Sequence, residues 1–235
     1  MRLSGKFLLF IGIVVALGVI GYLTTSTYQR GSYYYYGIGL LDFKTGDFRN
    51  AGKYFEKSYN ANNDNLMALY FLATSKVREG EKKKPRSNDD PLFRSAVANA
   101  EELTKKGQSR GDKNLYRYYA ILARAEVDLE EYVAAKDAID KAIKLKSTDY
   151  DIQVLLGRIL IGQKEYERAT DVLYDASQLK AFKPYEAYYY LGLAYDLARD
   201  GDRAYYYYDQ AIKSFPSKEI KEEAFRRKLE LANKP

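Results

Sequence analysis

Hydrophobic and polar positions follow two different patterns along this chain. Residues 7–23, FLLFIGIVVALGVIGYL, form an apolar run without a charged side chain. As a helix this run spans roughly 26 Å, at about 1.5 Å per residue, which is just enough to cross the hydrocarbon core of a bilayer. From residue 32 onward, apolar side chains instead recur at helical spacing among charged ones, as in amphipathic helices. The pattern predicts a membrane-spanning helix followed by an all-α body.

The apolar run has two interpretations, a cleaved secretory signal and an uncleaved signal-anchor over residues 1–30. A signal peptide has a shorter apolar core, about 7–15 residues, and a small-residue cleavage site, whereas no clear A-x-A site follows this run. The signal-anchor is therefore favoured. Because Arg2 and Lys6 precede the run and only Arg30 follows closely, the positive-inside rule predicts a cytoplasmic N-terminus. The body is then expected on the periplasmic or other extracytoplasmic side of the inner (cytoplasmic) membrane.

The body of the chain is internally repetitive. Three segments align without gaps in their helical pattern, beginning at Tyr118, Gln153 and Ala187. Small residues coincide in all three: Ala123 with Gly157 and Gly192, Ala135 with Ala169 and Ala204, and Ala142 with Ala176 and Ala211. A period of about 34 residues is typical of a solenoid, in which each unit covers apolar surface of its neighbour.

These units resemble the tetratricopeptide repeat, a helix-turn-helix of about 34 residues with one small residue in its first helix and two in its second. The last unit matches best, through Leu191, Gly192, Tyr195, Ala204, Tyr208, Ala211 and Pro216. The resemblance extends over residues 32–216 and implies about five repeats, with an insertion at 81–91 inside the second. It implies an all-α, helix-turn-helix tetratricopeptide solenoid, preceded by the predicted transmembrane helix. Residues 217–235 are expected to form a helix that caps the last repeat.

The resemblance also implies a binding surface, because the first helix of each unit lines the concave face in this family. Matching the groove-facing positions selects Leu40 and Leu193 together with six residues of a predicted peptide or partner groove: Tyr36, Tyr70, Arg117, Arg124, Arg158 and Tyr189. Arginine beside aromatic rings suits an extended or helical peptide that carries acidic residues. A solvated, unoccupied inner wall is the alternative. The carboxylate clamp of some family members is not supported, because Ala120 and Arg124 replace its lysine and asparagine.

Tyrosine is unusually frequent, with 25 residues and runs at 33–36, 188–190 and 205–208. A helix cannot bury four successive side chains on one face, so some ring of each run must face outward or into the groove. Most rings are expected in the core, where Tyr188 and Tyr208 occupy large positions of the family pattern. The lysine run within 81–91 is interpreted as a solvated loop, with contact to anionic lipid as the alternative.

The composition excludes most active sites. The chain has no cysteine and no histidine, which excludes thiolate chemistry, imidazole catalysis and the common zinc sites. It also lacks the phosphate-binding loop, the nucleophile elbow and the calcium loop. No catalytic residue, cofactor, metal or small-molecule substrate is therefore predicted. Nucleic acid is not an expected partner, because acidic residues are interleaved with the basic ones that give the formal charge of +6.

Together these features predict a membrane-anchored, non-enzymatic scaffold for protein–protein interactions. Its expected partners are proteins of a cell-envelope complex, which the repeats recruit or position, and the lipid bilayer, which residues 7–23 contact. The alternative is a chaperone-like module that transiently binds unfolded or extended client peptides near a membrane translocon.

Overall fold

The computed structural model describes residues 29–83, 89–179, 184–214 and 217–233. Throughout these ranges the regular structure is α-helical, and no strand occurs in them. None of the described helices is long and apolar enough to span a membrane. The predicted signal-anchor, with its apolar run at 7–23, lies outside the described residues.

The chain divides into two compact units, Met1–Lys83 and Lys84–Pro235. The described part of the first unit contains α1 (residues 29–45), α2 (Phe48–Ala61) and α3 (Leu66–Lys82). The second unit contains α4 (Pro91–Ser109), α5 (Leu115–Asp128), α6 (Tyr132–Leu145), α7 (Tyr150–Gly162), α8 (Tyr166–Gln178), α9 (Tyr185–Leu197), α10 (Gly201–Lys213) and α11 (Lys218–Ala232).

Side-chain caps explain where many of these helices begin. The N-cap side chain accepts a hydrogen bond from a backbone N–H of the first turn at Asp47, Asn65, Asp90, Asp149, Asp200 and Ser217. Such bonds satisfy donors that a helix leaves unpaired at its N-terminus. At α4 the cap is followed by Pro91, whose missing N–H and fixed φ suit the first helical position.

The turns between paired helices share one backbone conformation. Glu130, Lys164 and Arg199 have φ values of 61°, 64° and 63°, and Gly46 has a φ of 82°. At each turn the next amide donates back to a carbonyl near the end of the preceding helix, as in Glu131 N to Glu126 O. This is the left-handed helix termination in which glycine is preferred. Among these four turns, only the one in the first unit places glycine at this position.

In the first unit α1 packs closely against α2. A Cβ added at Gly39 would lie 2.8 Å from the Phe55 ring, so only a glycine lets the helices approach this far. Ser58 replaces the usual alanine, and its hydroxyl donates to the Ser32 carbonyl at 2.8 Å, while the Ser32 hydroxyl donates to the Ser58 carbonyl at 2.9 Å. The Asn65 amide donates to both hydroxyl oxygens. The buried hydroxyl groups of Ser32 and Ser58 are thus paired.

In the second unit the odd-numbered helices from α5 to α11 form a row, since each contacts the next, and α6, α8 and α10 each pack against the preceding one. The close packing of α9 and α10 depends on Gly192, where an added Cβ would lie 2.6 Å from the ring of Tyr208. Leu173 fills the corresponding space at Gly157. Both glycines match the repeat pattern predicted from the sequence.

Helix α11 covers the end of the second unit. It contacts α10 and α9, and Ala224 is fully buried in a cluster with Ala204 and Tyr208. At the other predicted irregularity, α3 ends at Lys82 and α4 begins at Pro91. These ends lie within the predicted insertion at 81–91, of which residues 84–88 are outside the described residues.

Candidate functional site

The six residues of the predicted groove lie on the first helices of their repeats, but in two different units. Tyr36 on α1 and Tyr70 on α3 belong to the first unit. The other four belong to the row of α5, α7 and α9 in the second unit: Arg117, Arg124, Arg158 and Tyr189. We refer to that row of helices as the inner row.

In the first unit, Tyr36 and Tyr70 meet the same phenylalanine. The centroid of the Tyr36 ring lies 6.0 Å from that of Phe71, and the Tyr70 centroid lies 5.3 Å from it. Tyr36 also packs on Phe55, with centroids 5.7 Å apart. Both tyrosines are half-buried, and burial raises the pKa of Tyr36. These rings therefore combine a packing role with a partly accessible aromatic surface.

Arg158 is the most constrained of the predicted residues. Its guanidinium donates to Oδ1 of Asp128 at 3.1 Å, and the side chains of Arg158 and Asp128 are 14% and 0% exposed. The guanidinium carbon also lies 5.4 Å from the centroid of the Tyr190 ring, a cation–π geometry. Arg158 thereby links α5, α7 and α9. Because breaking a buried pair leaves an uncompensated charge, this arginine is held in one place.

Arg117 and Arg124 extend the basic surface along α5. Arg124 lies one turn before Asp128 and two turns after Arg117, so the three side chains project from one side of the helix. Arg124 is half-buried, whereas Arg117 is exposed and its Nε donates to the Tyr116 hydroxyl at 2.9 Å. The inner row thus carries three guanidinium groups on α5 and α7: that of Arg158 is mostly buried against Asp128, and those of Arg124 and Arg117 are more accessible.

Tyr189 lies in a different environment from the arginines. Its ring packs on Tyr208, with centroids 6.0 Å apart, within the cluster that Ala224 of α11 completes. Burial raises the pKa of Tyr189 to about 12. Tyr189 therefore belongs mainly to the packing under the terminal helix, and the ring that accompanies Arg158 is its neighbour Tyr190. Sequence reasoning missed Tyr190 and Asp128. The available signal was that Asp128 follows Arg124 by one helical turn, and Arg124 precedes Arg158 by one repeat of 34 residues.

One buried carboxyl group was not anticipated. Glu126 on α5 is 7% exposed, and its Oε2 has no hydrogen-bond partner. Burial raises its pKa to about 7, and the carboxylates of Glu131, Glu101 and Asp137 act in the same direction. Glu126 lies on the opposite side of α5 from Arg124, since the two are separated by about 200° around the helix. It therefore belongs to the helix packing and not to the inner-row surface.

The described ranges contain no group of three or more acidic side chains arranged to hold a metal ion. A surface cavity of about 510 Å³ lies at the turn between α9 and α10, where its lining includes Tyr166, Tyr195, Asp200 and Arg203. None of the predicted groove residues lines it.

Comparison with known proteins identifies the fold. Residues 32–65 match the family model of the tetratricopeptide repeat. A search of curated proteins finds no match. The solved structure of TTC0263, a thermophilic TPR protein in Thermus thermophilus, is similar with a TM-score of 0.69 and 18% identity, covering 84% of this chain and 99% of that one.

Two further solved structures show the same architecture. MamA 41-end from Desulfovibrio magneticus RS-1 has a TM-score of 0.59 at 14% identity, covering 78% of this chain and 94% of that one. YrrB, described as a TPR protein with an unusual peptide-binding site, has a TM-score of 0.52 at 17% identity and covers 82% and 90%. The chain thus has the all-α fold of tetratricopeptide repeat proteins, as its repeat pattern predicted.

Proposed function

We propose that this chain is a membrane-anchored scaffold whose inner row binds acidic peptide segments of partner proteins and so positions components of a cell-envelope complex. Repeat proteins of this fold act through extended surfaces that protein partners contact. The proposal assigns the inner row as that surface and the apolar run at 7–23 as a single membrane anchor. The N-terminus is then cytoplasmic and the repeats extracytoplasmic.

The observation that carries the binding proposal is the fixed position of Arg158. Its pair with fully buried Asp128 and its contact with Tyr190 hold the guanidinium before any partner arrives. An ordered side chain loses less conformational freedom on binding, which favours affinity. The guanidinium is also planar and recognises carboxylates with defined geometry. Arg124 and Arg117 on the adjacent helix extend this recognition along a peptide with several acidic residues.

Peptide binding by this fold has a structural parallel. YrrB is described as having a peptide-binding site and shares the helical architecture, which supports the same kind of ligand here. The aromatic neighbours of the first unit, Tyr36 and Tyr70, offer a second contact surface of the kind found at interfaces. No catalytic step is included in the proposal.

The anchoring proposal is supported by the sequence of the first thirty residues. The apolar run is long enough to span a bilayer and lies behind Arg2 and Lys6. The first described helix begins by residue 29, so few residues separate the proposed anchor from the repeats. A partner bound to the repeats would therefore be held close to the membrane.

A charge reversal on the inner row tests the binding proposal. We expect Arg124→Glu to weaken binding of a glutamate-rich peptide by at least about tenfold, or about 1.4 kcal/mol, because like charges then oppose each other. Binding is measured by fluorescence anisotropy of a labelled peptide against the detergent-solubilised full chain. Lys144→Glu is the matched control, since Lys144 is exposed on α6 and the net charge changes equally.

Equal losses in both variants would show that net charge alone attracts the peptide, and would contradict an inner-row site. Comparable weak binding of peptides without acidic residues, insensitive to Arg124→Glu, would instead favour the chaperone-like alternative.

A further inference from the structure

Helix α1 has an exposed face on which no described helix packs. Tyr33, Tyr34 and Leu41 are 69%, 66% and 66% exposed. Gly37 lies between them, and a Cβ added there would meet no atom within 4 Å. Three large apolar or aromatic side chains so close together on one helix are unusual for a surface that faces water alone.

The same face carries positive charge. Arg30 and Lys44 are exposed, and their spacing from Tyr33, Tyr34, Gly37 and Leu41 places all six residues within about 100° around the helix. We call these six residues the α1 stripe. Asp42, an acidic residue of α1, is half-buried on another side of the helix. The α1 stripe therefore combines tyrosine and leucine with basic groups and contains no acid.

The aromatic surface continues from the α1 stripe onto α2. Tyr34 packs edge-on against Tyr35 with centroids 5.6 Å apart, and Tyr35 stacks with Tyr54 of α2 at 6.4 Å. The ammonium group of Lys57 lies 5.8 Å from the Tyr35 ring and 5.3 Å from the Tyr54 ring. Tyrosine rings beside lysine and arginine form the combination that is enriched where proteins meet the headgroup layer of a membrane.

The short segment between the apolar run and the α1 stripe limits how far the stripe can lie from the membrane. Tyr33 follows Leu23, the last residue of the apolar run, by ten positions. Ten residues span about 15 Å as a helix and at most about 35 Å when extended. If residues 7–23 cross the bilayer, the α1 stripe stays within that distance of the hydrocarbon boundary. Such a short connection gives the stripe a high effective concentration at the lipid surface.

We propose that the α1 stripe lies on the extracytoplasmic surface of the membrane, with Tyr33, Tyr34 and Leu41 in the headgroup layer and Arg30 and Lys44 beside anionic phosphates. The occupant of this face is thus lipid. This inference rests on the proposed membrane anchoring and goes beyond it, because an anchored chain could also hold the repeats away from the surface. It fixes the first helix against the bilayer and leaves the inner row of the second unit to proteins.

A single tryptophan tests this proposal, since the chain contains none. The full-length Tyr34→Trp variant is reconstituted into vesicles of phosphatidylethanolamine and phosphatidylglycerol, with and without brominated acyl chains. We expect brominated lipid to remove most of the tryptophan emission. The matched control is Tyr174→Trp, because Tyr174 is 50% exposed on α8 of the second unit, and its emission should persist.

The anchor is tested separately in the same samples by flotation of the vesicles. If the chain floats and the Tyr34→Trp emission is not quenched, or is quenched no more than that of Tyr174→Trp, the stripe is not on the membrane and the proposal fails while the anchor stands. If the chain does not float, and behaves like a Val14→Arg, Val15→Arg variant of the apolar run, the anchoring proposal itself fails.

The basic residues supply a second readout. Replacing phosphatidylglycerol by phosphatidylcholine should reduce the quenching of Tyr34→Trp, and Arg30→Gln with Lys44→Gln should remove that lipid dependence. Unquenched emission with a spectrum shifted to the blue would show that protein covers the stripe, either a second copy or the chain's own N-terminal residues, and would overturn the lipid assignment.

Discussion

At the scale of single residues, Glu126 is a side chain whose protonation changes near neutral pH. Its carboxyl group is buried, Oε2 lacks a partner, and burial raises its pKa to about 7 from an ordinary value of 4.5. A carboxyl with a raised folded-state pKa stabilises the fold fully below its unfolded pKa, and this contribution is lost as pH rises through the folded pKa. The window is therefore from about pH 4.5 to about pH 7.

We expect Glu126→Gln to remove this pH dependence. At pH 8 the variant should have a free energy of unfolding about 2–3 kcal/mol higher than the unmodified chain, because an uncharged amide replaces a buried carboxylate, whereas near pH 4.5 the two should agree. The measurement is urea unfolding of the detergent-solubilised chain, followed by circular dichroism. Glu130→Gln, at an exposed glutamate, is the control. A pH profile left unchanged by Glu126→Gln would mean that this carboxyl is not protonated near neutrality.

The residue types of the repeat pattern predicted which glycines lie where two helices approach closely. They did not predict which acidic side chains are buried. Gly157 and Gly192 followed directly from the repeat alignment, because the pattern demands a small residue where two helices approach. Asp128 and Glu126 could not be assigned, since an acid in an amphipathic helix is normally a surface group. Only three-dimensional packing shows that Asp128 neutralises Arg158 across α5 and α7 while Glu126 lies between helices.

At the scale of helices, close approach at a glycine determines how α9 packs on α10. The Tyr208 ring is fully buried, so it cannot move outward to admit a methyl group at position 192. Gly37 on α1 offers the opposite situation, with open space around it. The two glycines allow the effect of packing to be separated from the effect of helix propensity.

Alanine substitutions at these two glycines should therefore have opposite effects. Gly192→Ala is expected to lower the free energy of unfolding by about 1–3 kcal/mol through overpacking, while Gly37→Ala should raise it by about 0.5–1 kcal/mol because glycine is unfavourable inside a helix. Thermal and urea unfolding check both values. Stabilisation by Gly192→Ala would contradict the close contact between α9 and α10, because it would show that a methyl group fits beside the Tyr208 ring.

The helix boundaries were only partly predictable. Asp47, Asn65, Asp149 and Asp200 are residue types that commonly cap helices, and the 34-residue alignment placed each helix in register. Left-handed turns at Glu130, Lys164 and Arg199 were not indicated by residue type, because none of these three positions is glycine, unlike Gly46 in the first unit. The repeat pattern imposes that conformation on other residues.

At the scale of the whole molecule, the fold class is confirmed, whereas the partner-binding surface remains a prediction. Periodicity predicted a tetratricopeptide solenoid, and the match at 32–65 together with the similar solved structures confirms that class. The six groove positions remain predictions as binding residues, although the structure shows that Arg158 pairs with buried Asp128 and that Tyr189 packs in the cluster beneath α11. The anchor at 7–23 and the extracytoplasmic location remain predictions from hydropathy and charge.

The central claim is that an anchored chain recruits defined envelope proteins through its inner row. The most direct test is purification of the full-length chain from native membranes in mild detergent, with chemical cross-linking and mass spectrometry, beside the Arg124→Glu variant. We predict a reproducible set of envelope proteins, cross-linked to lysines near the inner row and depleted in the variant. Recovery of the chain alone, or of a diffuse mixture of clients that Arg124→Glu does not change, would contradict the scaffold.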